Sequence, residues 1–115
     1  MKYALLIYVN EKSMADMGPQ EATAFSAAFD RYTHMLAEAG VLRGGEALTP
    51  TAAAVTLRHT GDGDGQVLRT AGPYAEAAEH IGGYYVIEAP DLDAAIAYAR
   101  QMPVETVEIR PVDDM

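Results

Sequence analysis

The sequence predicts an α+β fold, a ferredoxin-like plait with an added β-hairpin that pairs into a dimeric α/β barrel, on three observations. Two amphipathic helical stretches are each flanked by strand-like segments, the spacing of a split βαβ arrangement. Residues 3–9 are apolar on both alternating sets, Tyr3, Leu5, Ile7 and Val9 on one side and Ala4, Leu6 and Tyr8 on the other. A strand of that kind calls for cover on both faces. A polar, glycine-rich stretch, Thr60-Gly61-Asp62-Gly63-Asp64-Gly65, separates two short β-like runs and reads as a hairpin loop. At 115 residues, half of them apolar, the chain is expected to be one domain burying about two-thirds of its unfolded surface.

The elements follow in order. After the first strand, Met17-Gly18-Pro19 is a breaker, and residues 20–39 then set Phe25, Ala28, Phe29, Tyr32, Leu36 and Ala39 in one helical stripe, with Gly40 as a left-handed stop. Residues 41–48 make a weaker strand in which Gly44-Gly45 suggests a bulge or bend. Residues 53–59 and 66–70 form the hairpin, and residues 75–80 a short helix. A strand over 84–89 follows. Asp91 caps a second helix whose Leu92, Ala95, Ile96, Ala99 and Met102 share a face, and Pro103 ends it. Residues 105–112 supply the last strand. Two helices cover one face of the sheet only, so the second apolar face of the first strand calls for a second copy of the chain. The expected assembly is a homodimer joined sheet to sheet.

Composition narrows the function. Eight Lys and Arg against 17 Asp and Glu give a net charge of -9 with no basic cluster, which disfavours direct nucleic-acid binding and anionic membranes. Residues 1–8 are apolar but far too short to span a bilayer and lack a small-residue cleavage site, so they read as a strand, and the expected location is cytoplasmic. The chain has no cysteine, so disulfides, thiolate nucleophiles and sulfur-ligated metals are all excluded. No histidine pair has metal-ligand spacing, and Asp62-Gly63-Asp64-Gly65 fails as a calcium loop because Val67 stands where the turn glycine belongs. Phosphate-binding glycine patterns and a Gly-x-Ser-x-Gly nucleophile are absent too. No cofactor and no metal are therefore expected.

The densest run of turn and polar signals is Ala71-Gly72-Pro73-Tyr74-Ala75-Glu76, with Glu79 and then Gly82-Gly83-Tyr84-Tyr85-Val86-Ile87-Glu88-Ala89. Together with Met1-Lys2-Tyr3-Ala4-Leu5-Leu6-Ile7-Tyr8, Thr56-Leu57-Arg58, Asp91-Leu92-Asp93-Ala94-Ala95-Ile96 and Val107-Glu108-Ile109-Arg110-Pro111-Val112, it resembles the YCII-related family, specifically its DGPF subfamily. The resemblance covers nearly the whole chain and implies a ferredoxin-like dimeric α/β barrel. It implies no settled activity: such proteins are suspected of enzymatic work and often occur with sigma factors. Ala71 stands where the subfamily motif has Asp, so no acid or base is carried over to that position, and Tyr74 replaces Phe.

Strand parity supplies the candidate site. With Val55 and Leu57 toward the helices, Thr56 and Arg58 face the dimer side, and Glu108 and Arg110 follow by the same alternation. Tyr8, Tyr84 and Glu88 join them. Charges on a hidden face pair with each other across the seam or hold a ligand, an arginine clamping a carboxylate in the second case. The expected catalytic residues are Tyr8, His59, Glu76 and Glu88 as proton-transfer groups, and the expected ligand contacts are Arg58, Tyr74, Tyr84 and Arg110. The bland readings are a solvated acidic face for Glu76 and Glu79 and a rigid turn for Gly72-Pro73. The leading functional reading is a cytoplasmic homodimer holding a small polar or anionic organic molecule between its sheets, with cofactor-free acid/base chemistry. The alternative is a noncatalytic ligand-sensing or accessory module of sigma-factor-linked transcriptional regulation.

Overall fold

A computed structural model describes residues 1–61 and 65–114. A four-stranded antiparallel sheet is built from β1 (Lys2–Asn10), β2 (Leu42–Ala47), β5 (Glu79–Glu88) and β6 (Thr106–Pro111), in the order β2-β5-β1-β6. Three helices accompany it: α1 (Glu11–Ala15), α2 (Pro19–Glu38) and α3 (Leu92–Ala99). The remaining strands, β3 (Val55–His59) and β4 (Val67–Ala71), pair only with each other. The fold is mixed α+β, and the described residues of one chain close no barrel.

The two-sided first strand sits where its sequence demands, in the middle of the sheet between β5 and β6. Tyr3, Leu5 and Ile7 point under the helices and are buried with Tyr32 and Leu36 of α2, Ala95 and Ala99 of α3, and Ile87 of β5. Ala4, Leu6 and Tyr8 lie on the opposite face, which no helix among the described residues covers, and are only half-buried. Asp91 caps α3 by accepting the Ala94 N–H at 2.9 Å. That helix stops at Ala99, before the expected end, and Met102 reaches the core from the turn that follows. Gly40 has a φ of 74°, the left-handed conformation that a helix stop requires.

Two irregularities shape the sheet. Leu42 pairs with Ile87 and Gly44 with Val86, so Arg43 is the extra residue of a bulge beside the predicted Gly44-Gly45 bend. Ile7 pairs with Gly83 and Tyr8 with Ile81, which leaves Gly82 as the extra residue of a second bulge. That bulge carries β5 back to Glu79, and His80 pairs with Val9. The expected helix over residues 75–80 is therefore corrected. Residues 72–78 are bends and coil, because a helix this short is marginal in water whereas the sheet edge beside β1 satisfies the backbone.

The hairpin also departs from expectation. Both strands were anticipated, and their register is regular from Val55 opposite Ala71 to His59 opposite Val67. Val55 and Leu57, however, do not face the helices: both are exposed, because the hairpin stands off the body in a sheet of its own. Gly72, with a φ of 104°, closes its base by donating its N–H to the Ala54 carbonyl at 2.7 Å and accepting from the Thr56 hydroxyl at 2.8 Å. The Gly-Pro turn is thus structural. The Asp62 to Asp64 part of the loop lies outside the described residues.

Candidate functional site

The predicted residues fall into three groups. Tyr8, Tyr84, Glu88 and Arg110 do share the open sheet face, as strand parity required. Arg58 and His59 do not join them, since they belong to the detached hairpin, and Thr56 leaves with them. Tyr74 and Glu76 lie in the exposed 72–78 segment, where the Arg58 guanidinium sits 5.7 Å from the centre of the Tyr74 ring, a cation–π contact. Glu76 and Glu79 share no helical face, because the helix is absent.

On the open face Tyr8, Glu108, Arg110 and Glu88 are already partnered. The Tyr8 hydroxyl donates to Glu108 at 2.9 Å, and Arg110 donates to the other Glu108 oxygen through Nε at 3.1 Å and through Nη2. The hydrogen bond to Glu108 raises the Tyr8 phenol above its ordinary value, and the Arg110 and Tyr8 hydrogen bonds hold the Glu108 carboxyl below its own. Tyr8 is therefore a neutral donor near neutral pH and Glu108 a fixed carboxylate, so neither is tuned as a base. Glu88 accepts from the Met1 amino group at 3.3 Å. Arg110, expected to clamp a ligand carboxylate, is engaged by a carboxylate of its own strand.

A cleft lies on the other face of the sheet. It occupies about 840 Å³ between the middle of α2, at Phe25, Phe29 and Thr33, and α1 and the β1, β5 and β2 strands. Its origin is a mismatch across the layers. Tyr32 and Leu36, in the second half of the α2 stripe, pack on large residues of the core, but Phe25 and Phe29 in the first half face Gly45, Gly82 and Gly83. A methyl group on Gly45 would lie 2.7 Å from the Tyr84 carbonyl oxygen, one on Gly83 2.9 Å from the Glu46 carbonyl oxygen, and one on Gly82 2.7 Å from a Val9 methyl. Close strand approach keeps the floor bare of side chains. The two phenylalanines pack edge to face at 5.1 Å above it.

Polar groups enter this apolar space at two points. The Thr33 hydroxyl bonds to the Phe29 carbonyl at 2.9 Å and lies 2.6 Å from the Tyr85 hydroxyl. Threonine has one hydroxyl proton, and Phe29 accepts it, so Tyr85 is the donor in the second bond. At the rim, Glu11 accepts from both the Thr51 N–H, at 2.8 Å, and the Thr51 hydroxyl, which holds its carboxyl below the usual range. Glu11 and Glu46 are the charged residues of the lining, which contains no lysine or arginine among the described residues. Of the predicted site only Tyr84 borders the cleft. Phe25 and Phe29 had been placed in the core stripe, while Glu11 and Thr33 carried no sequence signal. The described residues contain no cluster of His, Asp and Glu fit to hold a metal ion.

The YCII-related domain family matches residues 1–115. The chain belongs to the YCII-related family. An uncharacterised protein of Rhizobium meliloti (strain 1021) is 32% identical over 117 residues, which span 97% of this chain and 92% of that protein. Neither comparison carries an activity to this YCII-related chain, so its chemistry rests on the geometry above. No helix among the described residues is long and apolar enough to cross a membrane.

Proposed function

We propose that this YCII-related protein is a small-molecule-binding homodimer, and that its ligand is a largely apolar, neutral or cationic organic molecule seated between α2 and the glycine floor of the sheet. The observation that carries the reading is the cleft itself. Its volume of about 840 Å³ lies within the range of small-molecule sites, its walls are aromatic and aliphatic, and a few placed hydroxyls and carboxylates fix orientation. The absence of a lysine or arginine from the described lining turns the expected anionic ligand into a neutral or cationic one. With both protons already committed, the Thr33 and Tyr85 oxygens offer acceptors for a donor at the ligand's polar end.

The open face serves as the dimer seam in this reading. Its Tyr8, Glu108 and Arg110 satisfy one another, the arrangement expected of groups hidden by a partner, and its centre of Ala4, Leu6 and Val86 is apolar. The strand order β2-β5-β1-β6 supports the ferredoxin-like plait, and two such sheets face to face would give the dimeric barrel. Ala71-Gly72-Pro73-Tyr74 supports a place in the DGPF branch of the family.

Ligand-observed NMR with matched aryl amines, amides and carboxylates tests the binding site. Saturation transfer is expected to the amines and amides and is expected to disappear in Ala47→Trp, which puts an indole into the cleft from the edge strand. Preference for the carboxylates, or binding indifferent to Ala47→Trp, would refute it.

A further inference from the structure

We propose that the β3–β4 hairpin is an arm that clasps a second copy of this chain, laying Val55, Leu57 and Val67 on that copy and bringing Arg69 to its acidic surface. The proposal rests on the sheet-to-sheet pairing described above and assigns a part of the chain that this pairing leaves unused. Register puts Val55, Leu57 and His59 on one face of the hairpin with Ala71, Arg69 and Val67. Leu57 is 57% exposed, Val55 51% and Val67 40%, and Leu68 on the other face is 53% exposed. A solitary two-stranded hairpin is marginal in water, so a ribbon this apolar needs cover. Its own chain does not supply it. The radius of gyration is 16.8 Å, where a packed chain of this length should have about 13 Å, and the molecule measures 49 × 43 × 18 Å.

Charge and area both select a second copy as the cover. The two strands carry Arg58, Arg69 and no acidic residue, whereas the whole chain has 17 acidic against eight basic side chains. The ion pairs of the described residues are Met1–Glu88, His34–Glu38 and Arg110–Glu108, and neither hairpin arginine is in one. The arm's two acidic residues, Asp62 and Asp64, lie in sequence between its strands, so the strand face of Val55, Leu57, Val67 and Arg69 is complementary to another acidic body. Four strands spaced about 4.8 Å apart, with about eight residues each on average, offer an open face of roughly 500 Å², about two-thirds of the 800 Å² per partner typical of a stable interface. The arm supplies a second patch, and under two-fold symmetry it does so twice.

Sedimentation equilibrium of the full chain tests this with Leu57→Asp, Arg69→Glu and, on the open sheet face, Val86→Arg. Leu57→Asp should raise the dimer dissociation constant by about tenfold to a hundredfold, the worth of one buried leucine. Arg69→Glu should weaken the dimer and reduce its sensitivity to salt, with circular dichroism unchanged in both. Because Leu57 and Arg69 are exposed in the single chain, neither change disturbs its core. If both variants dimerise as tightly as the native protein while Val86→Arg does not, the sheet seam stands and the arm is overturned. A native protein that stays monomeric overturns both.

Discussion

Replacing Gly45 with alanine tests whether close strand approach keeps the cleft floor bare. The added methyl would lie 2.7 Å from the Tyr84 carbonyl oxygen, 3.0 Å from a Tyr85 ring carbon and 3.3 Å from the Tyr85 Cα. Two of these atoms are backbone, so relief requires β2 to move away from β5 rather than a side chain to rotate. Overpacking of this kind costs about 1–3 kcal/mol, and the smaller conformational entropy of an unfolded chain with alanine returns about 0.4–1 kcal/mol. The net expectation is a loss of about 1–2 kcal/mol, a fall of roughly 5–10 °C in the thermal midpoint. Gly44 is the control one residue away. Nothing lies within 4 Å of a methyl placed there, so Gly44→Ala should leave stability unchanged or raise it by up to about 1 kcal/mol. Urea denaturation followed by circular dichroism measures both. Equal midpoints for the two variants would mean that the strands yield freely and that the floor is not held open by their spacing.

Two further predictions concern ionisable groups. Glu11 ties the root of the hairpin connection to α1 through Thr51; because its folded-state pKa is depressed, the tie is complete above the ordinary carboxylate range and is lost as pH falls through the lowered value. Glu11→Gln should therefore lower the protection factor of the Thr51 amide at neutral pH and remove most of the loss of protection expected of the native protein on acidification, whereas identical protection profiles would contradict the tie. Tyr8 has the opposite sign: its raised pKa contributes stability below the unfolded value of about 10 that is lost as pH rises through the folded one. Tyr8→Phe should remove the latest-titrating part of the alkaline tyrosinate absorbance change attributable to this face, and an unchanged titration beyond the loss of one ordinary tyrosine would contradict the Glu108 bond.

Legibility followed the range of the interaction. The alternation in residues 3–9 picked out Tyr3, Leu5 and Ile7 as the face buried under the helices, because burial acts on single residues whose period is local. The Gly40 stop, the Asp91 cap and the bulge beside Gly44 were legible for the same reason. The 75–80 segment was misread because Ala75-Glu76-Ala77-Ala78-Glu79 is helix-forming by propensity, whereas the deciding contact is His80 against Val9, far along the chain. Parity correctly grouped Val55 with Leu57 but could not say what their face meets. The cleft was invisible for a related reason. Gly45 read as part of a bulge or bend and Gly82-Gly83 as the entry to a strand, and only the sheet register puts their bare backbone beneath Phe25 and Phe29.

The two faces of the sheet divide the work that one face had been expected to perform. Arg110 and Tyr8 were attractive as ligand and proton-transfer groups because a charge on a hidden face must be answered, and Glu108 answers both. A group satisfied in this way resists recruitment by a ligand, since a new bond must first replace an existing charge-assisted one. On the helical side the logic is reversed. The Thr33 oxygen and the Tyr85 hydroxyl each retain hydrogen-bonding capacity beyond the bonds they make to each other and to Phe29, and they do so beside apolar walls. Unspent capacity next to removable water is what a ligand can use. In the proposed reading the sheet separates assembly from recognition: alternate residues of β1 and β6 send the Tyr8–Glu108–Arg110 group toward the proposed partner, while the other face leaves the bare, aromatic-roofed space for a small molecule.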